Sequence, residues 1–235
     1  MRHFTLASPS GRNALGNPLI YAAATLICVI LESWTGFDRF FQSPFFTDGC
    51  WLLPKKFHSE WKIILYTGPK IVIALLGSLF LLILPMTFRR RKKRFLTPAW
   101  RKPVFLIVLS IALVPLITGA AKAVTGVYSP VDVTVYGGNH PHIGLMEQLW
   151  LFGQFSGGKS FPAGHASGGF ALISLYYLPV SESLKKSLFM LGLTAGWLMG
   201  LYQMSRGEHF MSHTLTTMFL ALTVISFLAG KLRLQ

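Results

Sequence analysis

The chain has 235 residues, of which 52% are hydrophobic and only 13% are charged, about half the charged share of a typical soluble domain. This composition excludes a disordered chain, a collagen and an ordinary soluble enzyme, and it indicates a membrane protein. The 22 Lys and Arg residues against 8 Asp and Glu residues give a formal net charge of +14. In a soluble protein this charge would favour a nucleic-acid partner, whereas in a membrane protein it indicates topology and an anionic partner.

Six apolar runs are candidate transmembrane helices, each of which needs about 20 mostly apolar residues. They cover residues 18–34, 67–88, 104–121, 166–178, 188–202 and 215–232. The fourth and fifth runs are short, and their terminal glycines and polar groups predict burial against other helices rather than exposure to lipid. We therefore predict an all-α fold, with six transmembrane helices in one bundle that forms a single domain over residues 1–235.

The basic residues predict the orientation of this bundle. Eight Lys and Arg residues occur within positions 89–102, between the second and third runs. The positive-inside rule places that loop in the cytoplasm, and both termini and the 181–186 turn fall on the same side. The aromatic-rich stretch 36–61 then faces the opposite side, where we expect an interfacial helical segment along the membrane surface.

Two charged residues lie inside the apolar runs and need a partner. Glu32 is near the far end of the first run, and Lys70 is near the start of the second. Charges within a membrane usually pair, so we expect an ion pair between them.

Histidines and cations collect in the segments that face away from the cytoplasm. The set comprises Lys122, Lys159, His165, Arg206, His209 and His213. A helix start offers free N–H groups and a positive dipole end for phosphate, and Lys and Arg neutralise its charge. Two histidines can supply a nucleophile and a general acid. His213 follows His209 by four residues, so on a helix it could orient the His209 ring.

The spacing of these residues resembles the three motifs of the type 2 phosphatidic acid phosphatase superfamily, K-x6-R-P, P-S-G-H and S-R-x5-H-x3-D. The matching residues are Lys122 and Pro130 in the first motif, Pro162, Gly164 and His165 in the second, and His209 in the third. The resemblance covers about residues 120 to 215, which form the motif-bearing core.

The sequence departs from the family pattern at positions that bear on the phosphate site. Ser129 and Gln203 stand in place of arginine, Ala163 in place of serine and His213 in place of aspartate. Arg206, about one helical turn before His209, is our candidate replacement for a missing arginine, together with Lys159, and Gln203 itself remains a candidate phosphate contact. Without the aspartate carboxylate at position 213, a negative charge is missing beside His209. We therefore expect the His209 imidazole to be less basic than a histidine that is paired with aspartate.

The resemblance implies a lipid phosphatase with a two-step mechanism. His209 would attack phosphorus to form a phosphohistidine, His165 would protonate the leaving oxygen, and water would then release phosphate. Lys122, the Gly164 N–H group and a nearby arginine would hold the phosphoryl oxygens, with no metal and no other cofactor.

The resemblance also implies a partner and a location. We expect a bacterial inner-membrane protein with cytoplasmic termini and a periplasmic active site, which acts on lipid A or a related lipid phosphate in the bilayer and binds no nucleic acid. Two alternatives stay open: a phosphoryl transferase between lipids, and a catalytically degenerate lipid-phosphate binding or transport protein.

Residues 153–160 also fit the nucleotide phosphate-loop pattern G-x4-G-K-[ST]. Such a loop must follow a strand and open a helix, whereas Pro162 follows here within two residues and His165 precedes an apolar run. We therefore expect Gly157 and Gly158 to let the chain bend near the phosphate site instead.

Overall fold

The computed structural model describes residues 14–34, 36–53, 63–88, 97–150 and 157–234. The basic stretch 89–94 and residues 54–61 of the expected interfacial segment lie outside these ranges.

Five long helices make up most of the part of the chain that the structure describes. They are α1 (Pro18–Trp34), α3 (Gly68–Met86), α4 (Arg101–Thr125), α7 (Glu182–Met204) and α8 (Met211–Leu232). A π-helical turn, Ile63–Thr67, leads into α3. The helices extend past several of the apolar runs because polar residues, such as His213 at the start of α8, continue the helical backbone.

Shorter elements connect the long helices. They are α2 (Phe37–Gln42) with the 3-10 turn Ser43–Phe45, α5 (Leu145–Trp150), and α6 (Gly164–Ala171) with its 3-10 extension Leu172–Tyr177.

The expected interfacial helical segment is only partly helical. After α2, strands β1 (Phe46–Thr47) and β2 (Cys50–Trp51) form a small antiparallel hairpin. Asp48 and Gly49 both have positive φ, 52° and 76°, as a type I′ two-residue hairpin turn requires. The Asp-Gly pair is a strong hairpin signal, and it overrides the aromatic pattern that favoured a helix.

The small residues of α6 allow it to pack at the centre of the bundle. A Cβ atom on Gly169 would lie 2.5 Å from the backbone nitrogen of Gly196 in α7, so only glycine permits this approach. Phe170 and Ala171 are fully buried in a core shared with α4 and α8. This burial agrees with the expectation that the fourth run contacts helices rather than lipid.

Three described helices are long and apolar enough to cross a membrane: Ile63–Met86, Pro98–Asp132 and Met211–Leu232. A fourth crossing results if α1 and the segment Phe37–Phe45, which meet at an angle of 84°, count as one broken span. By this measure the described residues form a membrane protein with three or four candidate spans, and the six-span bundle stays a prediction.

Packing places the start of α1 beside the end of α8. Asn17 and Pro18 line a common pocket with Gly230 and Lys231. The side of the membrane that these two helix ends face stays a prediction.

The expected ion pair between Glu32 and Lys70 is wrong for the described residues. The backbone N–H of Leu145, at the start of α5, donates to Glu32 Oε2 at 3.0 Å. The Lys70 ammonium lies instead 3.8 Å from the centroid of the Tyr66 ring. An unpaired N–H group at a helix start is a strong partner for a carboxylate, and α5 brings one against α1.

Candidate active site

A polar pocket with an empty volume of about 420 Å³ lies where the motif-bearing segments meet. Its lining residues are Lys122, Ser129, Asp132, Lys159, Ser160, His165, Glu208 and His209. The fold thus brings Lys122, Lys159, His165 and His209 from the predicted set to one cavity. The pocket combines two cations with two imidazoles, as an anionic substrate requires.

A close backbone approach holds the Lys159 loop against the end of α4. The N–H group of Gly158 donates to the Gly126 carbonyl at 3.1 Å, and that of Ser160 donates to the Val127 carbonyl at 2.9 Å. A Cβ atom on Gly158 would lie 2.2 Å from the Val127 oxygen, so this contact requires glycine. The same contact brings Lys159 to the pocket that Lys122 lines.

His165 stands in the first turn of α6, directly after Gly164. A Cβ on Gly164 would lie 3.9 Å from Lys122 Cδ, so the aliphatic part of that lysine passes close to the helix start. The Tyr66 ring packs against His165 with 4.5 Å between ring centroids. Burial, reinforced by the positive charges of Lys70 and Lys122, lowers the pKa of His165 to about 3.

His209 lies between α7 and α8 and is only 2% exposed. Its Nε2 atom is buried and has no hydrogen-bond partner among the described residues. Its ring centroid is 5.9 Å from that of His165, so one phosphoryl group can contact both rings. Burial, together with the neighbouring His213 and Lys122, lowers the pKa of His209 well below its usual range, so the imidazole is neutral.

Ser160 links His209 to His213. The Ser160 hydroxyl oxygen is 3.1 Å from His209 Nδ1 and 3.3 Å from His213 Nδ1, and it donates to the Glu208 carbonyl at 2.6 Å. His213 is fully buried behind the pocket, between the rings of Phe161 and Phe210. Within the described chain the two histidines therefore meet through Ser160 and not through a direct hydrogen bond.

Arg206 and Gln203 lie outside the pocket wall. The Arg206 guanidinium is 3.5 Å from Glu208 Oε1 and 5.5 Å from the centroid of the Tyr202 ring. Gln203 is 2% exposed, and its backbone carbonyl accepts from the Glu208 N–H group at 2.9 Å. Both residues border the turn that carries Glu208 and His209, and neither lines the pocket in this structure.

Sequence reasoning missed two groups of pocket residues. Ser129, at a family arginine position, donates its hydroxyl hydrogen bond to Asp132, and both side chains line the pocket. Ser160 lies two residues before Pro162 of the second motif, and that adjacency was the available signal.

A missed carboxylate also holds the turn that carries His209. The Ser212 N–H group, at the start of α8, donates to Asp38 Oδ1 at 2.7 Å, and the Ser212 hydroxyl bonds to the other carboxylate oxygen. Gln42 adds a bond from its side-chain amide to the Met204 carbonyl at 2.8 Å. The short helix α2 is therefore hydrogen-bonded to both ends of the turn from Met204 to Ser212.

A second, mostly apolar pocket of about 630 Å³ adjoins the first and shares His165 with it. It lies between α3, α4 and α6, and its wall includes Lys70, Ile73, Ile111, Pro115 and Gly168. An apolar cavity that ends at the polar site has the chemistry to receive a hydrocarbon chain whose headgroup occupies the polar pocket.

Comparisons with known proteins show the family of this chain and a solved structure with a similar fold. The family model described as the PAP2 superfamily matches residues 103–232, more than half of the chain and the whole polar pocket. No curated protein sequence matches significantly.

Among solved structures, the chain is similar to a transmembrane PAP2-type phosphatidylglycerolphosphate phosphatase from Bacillus subtilis. The TM-score is 0.57 at 17% sequence identity, over 91% of this chain and 94% of that chain. At this identity the similarity shows a common fold.

Proposed function

Because the chain belongs to the PAP2 superfamily, we propose that it removes phosphate from a membrane lipid through a phosphohistidine at His209. Family membership and the apolar helical fold support a membrane lipid phosphatase. One observation carries the proposed mechanism: the buried, unpartnered Nε2 of His209 lies beside a pocket that also contains Lys122, Lys159 and His165.

The proposed reaction has two displacements at phosphorus. The lone pair on His209 Nε2 attacks phosphorus, the bond from phosphorus to the lipid oxygen breaks, and His165 gives a proton to that oxygen. Water then attacks the phosphohistidine, His165 takes a proton from the water, and phosphate leaves. A bound phosphate dianion favours protonation of His165, because it offsets the positive charge around the ring.

Lys122 and Lys159 would neutralise the phosphoryl oxygens in place of a metal ion. Both ammonium groups belong to the same pocket as His209, and charge-assisted contacts from lysine suit phosphate. The Gly164 N–H group at the start of α6 adds a helix-terminal donor. In this proposal Arg206 and Gln203 contact substrate only after the turn around Glu208 rearranges.

We propose lipid A or a related lipid phosphate monoester as the substrate. The apolar pocket beside His165 supports a lipid over a soluble phosphate ester. Ser129 and Asp132, from the connection between α4 and α6, line the polar pocket, so this connection contributes to the proposed headgroup site. We further propose that this side faces the periplasm from the inner membrane of a bacterium.

Phosphate release from a panel of lipid phosphates tests the function. We expect hydrolysis by the detergent-solubilised wild type, about 10³-fold or greater loss in His209→Ala, and about 100-fold loss in Lys122→Ala. Ser174→Ala is the matched control, since it removes a buried hydroxyl bonded to the Ala171 carbonyl away from the site. The panel includes lipid A, phosphatidylglycerophosphate and phosphatidic acid, with and without a chelator.

Each part of the proposal has its own contrary outcome. Full activity in both His209→Ala and Lys122→Ala would refute the site, and loss of wild-type activity with chelator would refute the metal-free mechanism. Labelled phosphate on an acceptor lipid rather than in solution would identify a phosphoryl transferase.

A further inference from the structure

The Ser160 hydroxyl occupies an unusual position for an uncharged group. It is 3% exposed and contacts three acceptors or donors at once: the Glu208 carbonyl, His209 Nδ1 and His213 Nδ1. The two histidine rings lie 5.9 Å apart, with this hydroxyl between their Nδ1 atoms. The side chain comes from the loop before α6 and not from the turn that carries His209.

The bonding of Ser160 fixes the proton positions on both rings. A carbonyl oxygen can only accept, so the 2.6 Å contact to Glu208 uses the single Ser160 hydroxyl hydrogen. The Ser160 oxygen can then only accept from the imidazoles, through its two lone pairs. Both Nδ1 atoms must therefore carry the proton, which leaves Nε2 of His209 with its lone pair free.

We infer that Ser160 is the positioning residue that orients His209 and fixes its reactive tautomer, in the place that the family pattern gives to a carboxylate. The inference rests on the proposed function, because it assigns a partner to the proposed nucleophile. His213 occupies the second lone pair of the same oxygen and so holds Ser160 in place. The pair of Ser160 and His209 is uncharged, unlike an imidazole paired with aspartate.

An uncharged partner changes what the histidine can do. It fixes the ring and the tautomer, but it adds no negative charge that would stabilise an imidazolium. Among the described residues, the other charged or titratable groups around His209 are Lys122 from α4, Asp132, Lys159, His165 from α6, His213 from α8 and the adjacent Glu208. Replacement of His213 by aspartate restores the family arrangement and provides a charged acceptor one helical turn from His209.

Four variants test the inference by steady-state kinetics. We expect Ser160→Ala to lower kcat about 10–100-fold with KM near the wild-type value, and Ser160→Thr to keep most of the activity. The Ser160→Ala/His213→Asp double variant should regain kcat, with the acidic limb of its pH–rate profile at higher pH than in the wild type. Ser174→Ala should match the wild type in kcat, in KM and in the pH–rate profile.

A spectroscopic readout separates this inference from the proposed function. In ¹⁵N-histidine NMR spectra of the wild-type protein we expect His209 as the Nδ1–H tautomer, and a mixture or the other tautomer in Ser160→Ala. If the wild type hydrolyses no lipid phosphate, the proposed function fails, and the NMR result still decides the role of Ser160. Wild-type kcat and tautomer in Ser160→Ala, or no recovery in the double variant, would overturn the inference.

Discussion

At the scale of single residues, His209 is surrounded by groups that oppose its protonation. Burial is the main cause, and His213, Lys122 and His165 add positive or potentially positive charge. The ordinary histidine pKa is about 6.5. A nucleophilic imidazole must be neutral, so a pKa below this value extends its reactivity toward acid pH.

The lowered pKa predicts the acidic limb of the pH–rate profile. We expect kcat for a lipid phosphate, which reports the complex in which bound phosphate favours protonated His165, to stay level as the pH falls through 6.5 and to decline only below it. The His213→Asp variant should move the decline to higher pH, because a carboxylate stabilises the imidazolium. If the wild-type rate instead declines with a midpoint at or above pH 6.5, the surroundings of His209 do not suppress its protonation.

The site residues divide into those that a sequence pattern could reveal and those that it could not. Lys122, His165 and His209 stand at motif spacings, so the sequence predicts them as site residues, and the structure places them at one pocket. Ser160 and Asp38 act through contacts over 49 and 174 positions of the chain, and no local periodicity marks such contacts. The role expected of Lys70 was wrong because α5 provided a closer partner for Glu32.

At the scale of elements, the position of His165 depends on how closely α6 packs against α7. The backbones of Gly169 and Gly196 approach so closely that no side chain fits between them. Gly119, in α4, has nothing within 4 Å of an added Cβ and provides a control on another helix.

A methyl group at this helix contact should destabilise the protein and displace the site. We expect Gly169→Ala to cost about 1–3 kcal/mol, with a lower Tm in detergent and reduced phosphatase activity. Gly119→Ala should be neutral or stabilising by up to about 1 kcal/mol, because alanine is the better helix former. Equal Tm values for the two variants would contradict the close packing of α6 and α7.

Element boundaries show where apolar patterning is informative. The first run coincides with α1, because its ends are set by Pro18 and by the break after Trp34. The third and fifth runs became the longer helices α4 and α7, since Lys122 and Gln203 are compatible with helix although they are polar. The fourth run divides into α6 and a 3-10 segment, a change of backbone geometry that hydropathy does not report.

At the scale of the whole molecule, His209 of the polar pocket lies just before α8, whereas the start of α1 lies beside the end of α8. The hairpin lies next to the turn that carries His209, where the Trp51 ring lies against Gly207, two residues before His209. Cys50 in this hairpin is exposed, whereas Cys28 in α1 is buried. Cys50 is therefore a natural marker for the side of the membrane that the site faces.

Thiol labelling should reveal the orientation. We expect a membrane-impermeant maleimide to label Cys50 in bacterial cells whose outer membrane alone has been permeabilised. In a Cys50→Ser background, Ser183→Cys in the exposed first turn of α7 should react only after the inner membrane is opened. The reverse pattern would place the site on the cytoplasmic side and refute the proposed topology.

Trapping the covalent intermediate tests the phosphohistidine at His209 directly. We predict that wild-type protein, mixed with a ³²P-labelled lipid phosphate and quenched in base within milliseconds, carries acid-labile label on the peptide that contains His209. The His209→Ala variant should carry none, and the Ser174→Ala control should match the wild type. Phosphate release by the wild type without label on that peptide, or with label on another residue, would contradict His209 as the nucleophile.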